Sequence, residues 1–341
     1  MTTETAENTH PVEMSGERNF PSGIAVFENA AWANRKTGKP LPIEMGEAPR
    51  VLLFATGWAT DERLFAPWVK SLEVLNYPAA LVVLSNPLAG LSADAFLAAA
   101  RPEAQSEAGR TNSLFRPDWP LFESLPPVVE ELRRDVPEAR WTLVGWSFGV
   151  RFVLDLWRAR ERVFGDGSAN ADAFERLVFA AGSLTPVGRT GIPEAVAKLT
   201  LATLSAESLG TFFVRVTEER GAWADVVANP DFPGFTPDEL PDVPKAAEEL
   251  RAFAGLRDPL PELAREAASF PGEIRVVIPK RDRIVPVAAQ ERAADALCEA
   301  CLAAGRAEPR VLHTDEPHGT FEGLTEAVFD AAFGGVEPLK L

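Results

Sequence analysis

Residues 141–150 read Trp141-Thr142-Leu143-Val144-Gly145-Trp146-Ser147-Phe148-Gly149-Val150, an apolar run that closes on a Gly-x-Ser-x-Gly pentapeptide. Beyond it, Val150, Val153, Leu154 and Trp157 recur at the 3, 4 and 7 spacings of one helical face. The stretch therefore predicts a strand, a sharp turn and an amphipathic helix. The two glycines let the backbone double back, and the strained turn lifts the serine hydroxyl above the end of the strand. The helix that follows aims its first N–H groups at charge developing on a substrate. Ser147 is thus the expected nucleophile, and the backbone N–H of Phe148 one expected donor to an oxyanion.

Working outward, short apolar and β-branched runs recur at 24–27, 51–55, 80–85, 141–144, 177–181, 274–279 and 310–313, with helical patterns at 128–134 and 288–304. Several runs, such as RVLLFA and IRVVIP, are almost continuously apolar, as expected of strands covered on both faces. The alternation predicts an α/β fold with a mostly parallel, doubly wound sheet. Two stretches break the rhythm. Residues 86–125 are too long for an ordinary connection and read as a surface excursion or a functional loop. Residues 185–270 carry about four helical patterns joined by the Pro-rich segment NPDFPGFTPDELPDVP, and read as a helical lid. The expected organisation is a disordered polar tail over 1–20, a core over 21–184 and 271–341, and the lid between.

A serine hydroxyl needs a base to take its proton. Of the 3 histidines, His10 lies in the polar tail, His313 ends an apolar strand, and His318 lies in the loop DEPHGTF beyond it. A loop past the last strand can bring its imidazole over the turn, which selects His318. The orienting acid belongs between serine and histidine at the end of a strand, where Asp282 follows IRVVIP. The alternative for Asp282 is a surface ion pair with Arg281 or Arg283. The second oxyanion donor is expected after an earlier strand, in Leu52-Leu53-Phe54-Ala55-Thr56-Gly57-Trp58-Ala59, with the Trp58 N–H as donor or Trp58 as a core aromatic. Trp58, Trp146, Phe212, Phe213 and Trp223 are candidates to line a substrate channel.

The rest of the composition mostly excludes. With 34 Lys+Arg against 50 Asp+Glu the formal charge is −16, which disfavours nucleic acid and anionic membrane as partners. Apolar runs fall short of a membrane span, and residues 1–20 lack the basic and apolar regions of a secretory signal. Cys298 and Cys301, in ERAADALCEACLAAGR, sit at helical spacing and read as small core hydrophobes rather than half of a zinc or redox motif. The expected compartment is the cytosol, and no metal or organic cofactor is expected.

VLLFATGWATDERLF, GWSFGV and RDRIVP with a later His-x-x-Phe resemble the α/β-hydrolase superfamily, and within it the pimeloyl-acyl-carrier-protein methyl ester esterases of biotin synthesis. The resemblance implies Ser147 as nucleophile, His318 as base, Asp282 as its orienter, the N–H groups of Trp58 and Phe148 as oxyanion donors, and a helical lid. It departs where the family's His-Gly is Thr56-Gly57, and where residues 86–125 run longer. The family implies a basic lid surface for an acidic carrier protein, with Arg215, Arg220, Arg251 and Arg257 available here. Yet residues 185–270 hold 8 Lys+Arg against 14 Asp+Glu, a net −6. The expected activity is carboxylic ester hydrolysis through an acyl-enzyme. The alternatives are a broad-specificity esterase, thioesterase or C–C hydrolase, and a non-catalytic binding protein of the same fold.

Overall fold

The computed structural model describes residues 18–20, 23–37, 48–60, 78–85, 120–165, 172–218, 243–256, 258–319 and 326–333. Its strands are β1 (Arg18–Phe20), β2 (Ile24–Glu28), β3 (Arg50–Ala55), β4 (Ala79–Leu84), β5 (Arg140–Trp146), β6 (Phe174–Ala180), β7 (Glu273–Pro279) and β8 (Arg310–Thr314). They form one sheet in the order β1-β2-β4-β3-β5-β6-β7-β8, antiparallel from β1 to β4 through β2 and parallel from β4 to β8.

The helices are α1 (Ala30–Lys36), α2 (Pro120–Asp135), α3 (Gly149–Arg158), α4 (Arg160–Phe164), α5 (Glu194–Ala202), α6 (Ala206–Thr217), α7 (Val243–Gly255), α8 (Leu260–Ala268), α9 (Val287–Ala303) and α10 (Glu326–Phe333). They cover both faces of the sheet, which explains the unbroken apolar runs. In β3, Val51, Leu53 and Ala55 belong to one buried cluster with residues of α2, α3, α8 and α9, while Leu52 and Phe54, on the other face, belong to a second with Val328, Ala331 and Ala332 of α10. Each buried Val, Leu or Phe side chain contributes about 1.5–3 kcal/mol relative to exposure.

Three features differ from the sequence expectation. The tail gives way to β1 at Arg18, which pairs with β2 across a turn where Gly23 takes φ 73°; three residues are too few to show alternation. Helix α2 begins at Pro120 and runs through Pro126 and Pro127, where the sequence places a helix only after the proline pair because an interior proline costs a hydrogen bond. Finally, of the four helices among the described residues of 185–270, α8 is a core helix: Leu263, Ala264, Ala267 and Ala268 are buried in the main cluster. The 86–119 part of the long connection and the Pro-rich lid segment lie outside the described residues.

The chain's return from α7 to the core is held by buried charge. Arg151 of α3 has no exposed surface and bonds Asp258 and, at 3.1 Å, Asp155; Arg158 reaches Asp155 and Asp258, each at 3.3 Å. Two cations here share two carboxylates. Asp258→Ala leaves one positive charge in excess in the protein interior, and is expected to cost about 3 kcal/mol of stability, read as a lower urea midpoint at unchanged m-value. An unchanged midpoint would show that the network is neutral to folding. Among the described residues no helix is long and apolar enough to cross a membrane.

Candidate active site

Strand order reverses about β3, with β4 on one side and β5 on the other, and the crevice beyond the carboxyl ends of such strands is where open α/β sheets bind ligands. Register then brings four loops together. Ala55 of β3 pairs with Gly145 of β5, so Thr56-Gly57-Trp58 emerges beside Trp146-Ser147. Pro279 of β7 pairs with Thr314 of β8, so Asp282 and His318 emerge side by side. Their loops are joined by the Lys280 N–H to Thr314 C=O at 2.9 Å and the Arg281 N–H to Glu316 C=O at 3.1 Å.

Ser147 occupies the left-handed region at φ 59°, rare for a residue with a Cβ, directly between β5 and α3. Its N–H donates to the Ala180 C=O at 2.9 Å, pinning the turn to β6. Gly149 is required by space, since a Cβ there would stand 2.1 Å from the Ala55 carbonyl oxygen; the helix could not start so close to β3 otherwise. Gly57 is required likewise, because its Cβ would meet the Ser147 Cβ at 2.9 Å. The β3 loop thus lies against the serine. Among the described residues, the backbone N–H groups of Phe148 and Trp58 donate no hydrogen bond. In place of the family's histidine, Thr56 donates through Oγ1 to the Thr60 C=O at 3.1 Å, and Thr60 through Oγ1 to the Gly57 C=O at 2.7 Å, closing the loop on itself.

The Asp282 side chain is fully buried and accepts from four donors. Oδ1 takes the N–H groups of Ile284 and Val285 at 2.8 and 2.9 Å. Oδ2 takes Gln290 Nε2 at 2.7 Å and His318 Nδ1 at 2.8 Å. Because an ionised carboxylate only accepts, Nδ1 carries the proton and Nε2 is the free, basic nitrogen. That Nε2 is buried and has no hydrogen-bond partner. No hydrogen bond joins it to the Ser147 hydroxyl among the described contacts; such bonds are often open without substrate and tighten on binding. Arg281 and Arg283, the rival partners for Asp282, instead bracket Glu218 at 3.2 and 2.9 Å. His313 is half-exposed and bonded to Glu291 at 2.8 Å, a local strand-end pair. His10 lies outside the described residues.

The expected channel residues divide. Trp146 lies between the β3 loop and the base: its indole N–H donates to the His318 C=O at 3.0 Å, its ring lies 5.1 Å from the imidazole, and a Cβ on Gly57 would stand 3.0 Å from that ring. Trp58 is buried, edge-on to Phe212 at 4.8 Å, and donates through Nε1 to the Ala246 C=O of α7 at 2.7 Å. The side chain of Phe213, and all of Trp223, lie outside the described residues, as do Arg220 and Arg257; Arg215 and Arg251 are exposed.

Three contributors, Gln290, Glu218 and Glu249, escape sequence reasoning. Gln290, eight residues past Asp282, holds the acid and also donates to the Val285 C=O at 3.0 Å, which assigns its amide nitrogen. Val216 of α6 accepts the Gly319 N–H at 3.1 Å, and Glu218 takes up the two arginines, so the end of α6 grips both the His318 and the Asp282 loops. Glu249 of α7 is buried against the β3 loop. None sits in a recognisable motif; each is a polar residue in a helical stretch. Cys298 and Cys301 are free thiols on α9, both raised above their ordinary value with burial as the leading cause. Among the described residues no group of three or more His, Cys, Asp or Glu is arranged to hold a metal ion.

No protein-family model matches the chain, and no curated protein does. Solved structures do. A bromoperoxidase from Bacillus anthracis is similar at a TM-score of 0.51 with 13% identity, covering 91% of this chain and 92% of that one. A hydrolase from Pseudomonas aeruginosa is similar at 0.50 and 15%, covering 94% and 96%. A soluble variant of monoglyceride lipase from Saccharomyces cerevisiae, in complex with a substrate analog, is similar at 0.50 and 11%, covering 96% of each. Sheet order, elbow and these likenesses define the α/β-hydrolase fold.

Proposed function

We propose that the chain is a serine-dependent carboxylic ester hydrolase acting through an acyl-enzyme. The observation that carries this is the pairing of an elbow serine at φ 59° with an Asp282-oriented His318 whose Nε2 is buried and unbonded. Ser147 Oγ attacks the ester carbonyl while His318 Nε2 takes its proton, and the N–H groups of Phe148 and Trp58 receive the oxyanion. His318 returns the proton to the departing alcohol, then draws one from water, whose attack on the acyl-enzyme frees the acid and Ser147. Asp282 holds the imidazole in its Nδ1–H tautomer throughout.

The specific substrate proposed is the methyl ester of a pimeloyl-carrier protein, cleaved to pimeloyl-carrier and methanol. Supporting it are the Gly-Trp oxyanion loop, the Gly-Trp-Ser elbow and the exposed Arg215 and Arg251 on lid helices. A broad small-molecule esterase is the second reading, favoured by the net −6 of residues 185–270, which repels an acidic carrier. Complementation separates the two. A biotin auxotroph lacking its methyl ester esterase is expected to grow when it expresses this chain, and not when it expresses Ser147→Ala. Failure to grow despite p-nitrophenyl ester turnover by the purified protein selects the broad esterase; no turnover of any ester overturns both.

A further inference from the structure

The lid helix α7 addresses both oxyanion donors with one face. Ala246, Glu249 and Phe253 lie three and four residues apart, a single helical stripe. Ala246 accepts the Trp58 indole N–H at 2.7 Å, Glu249 Oε2 accepts the Ala59 backbone N–H at 3.1 Å, and the Phe253 ring packs 4.6 Å from that of Phe148. Ala59, immediately after the proposed donor Trp58, is itself held at φ 56°, a left-handed conformation that is strained for a non-glycine residue and must be held by its surroundings. Its N–H is taken by a side chain contributed from 190 residues away.

We infer that Glu249 is a positioning residue for the oxyanion hole, a lid-borne carboxyl that fixes the Trp58-Ala59 peptide and makes the hole dependent on its protonation. The inference rests on the ester-hydrolase proposal above. Glu249 is 3% exposed, and burial pushes its carboxyl up to about 8, only partly opposed by the Ala59 N–H. Charged groups on the elements around it are engaged elsewhere. On α5, Lys198 pairs with Glu194 at 3.8 Å, and on α3, Arg151 pairs with Asp155 and Asp258. On α7 itself Lys245 and Arg251 are exposed and Glu248 is half-exposed. Residues 56–60 carry no charged side chain, and no described cation forms an ion pair with Glu249.

The sign follows. Below pH 8 the carboxyl is mainly neutral, still accepts from Ala59, and adds no charge beside the oxyanion. Above it, an uncompensated negative charge appears next to the forming oxyanion in a dry site and opposes it, so kcat falls. The test is a kcat and KM profile from pH 5.5 to 10 on a p-nitrophenyl ester for wild type, Glu249→Ala and Glu249→Gln. Glu249→Ala is expected to lower kcat about 10- to 100-fold with KM within about twofold, because a misplaced donor costs on that order. Glu249→Gln, whose amide oxygen can accept from Ala59 but cannot ionise, is expected to recover most of that loss at pH 7 and to lack the alkaline fall. A Gln variant that keeps the wild-type alkaline limb, or an Ala variant with wild-type kcat, overturns the inference while leaving the hydrolase intact. A wild type that neither turns over ester nor takes up a fluorophosphonate overturns the hydrolase proposal, and this inference with it.

Discussion

Ser147→Ala is expected to lower kcat for ester hydrolysis by about 10⁴- to 10⁶-fold, with KM near the wild-type value, and to abolish covalent labelling by a fluorophosphonate. The size of the effect comes from the site's construction. The hydroxyl stands at the end of β5, and the turn that presents it is held by the Ala180 C=O, with Gly57 and Gly149 leaving room for the close approach of β3 and its loop. Alanine removes the nucleophile while leaving the Phe148 and Trp58 N–H groups in place, so binding and residual polarisation of the carbonyl persist. That split, lost kcat with retained KM, separates a missing nucleophile from a damaged fold. Serine to alanine at φ 59° adds no bulk, and the melting temperature should move little. Labelling that persists in the alanine variant would move the nucleophile elsewhere.

Asp282→Asn is the second large effect, expected at about 10³- to 10⁴-fold in kcat. Asp282 Oδ2 accepts from both Gln290 Nε2 and His318 Nδ1, while Oδ1 accepts two backbone N–H groups. An asparagine can keep its oxygen toward Ile284 and Val285 only by turning its NH₂ toward two donors. His318 then relieves the clash by carrying its proton on Nε2, the nitrogen that must be bare to accept from Ser147. The expected signature is retained substrate binding, strongly reduced turnover, and slow but detectable fluorophosphonate labelling. Glu138→Gln, in the exposed pair with Arg35 ahead of the amino end of β5, serves as the control and is expected to be unaffected. Wild-type kcat in Asp282→Asn would show that another group orients His318.

The elements that sequence made legible are those whose signal is local. The strand into Ser147 is apolar on both faces, the glycines at 145 and 149 stand where a turn needs them, and α3 repeats its apolar residues at helical spacing. Chain order was equally readable, because Asp282 and His318 each follow an apolar strand directly. Where local signals conflict, as at the proline pair of α2, the start of the element is misplaced, and where they are too short, as in β1, the element gives no signal. In the site, what Trp146 touches shows only once the loop after β8 folds over the end of β5 and brings His318 onto its ring.

By itself, the sequence determined the α/β architecture, the elbow at Ser147 and the residues that stand at the ends of β7 and β8. Each depends on periodicity or on backbone conformations demanded within a few neighbours. Only the tertiary structure decided what surrounds them: Gln290 on Asp282, Trp146 under His318, Glu218 drawing Arg281 and Arg283 away from the acid, and Glu249 on the peptide after Trp58. The physical reason is separation along the chain. Trp146 meets His318 across 172 residues and Ala59 meets Glu249 across 190, so no local pattern encodes either contact. Glu249, beside Glu248 in a charged helical stretch, reads as one more solvated carboxylate. Burial against the β3 loop is what raises its carboxyl and sets it on the peptide after Trp58.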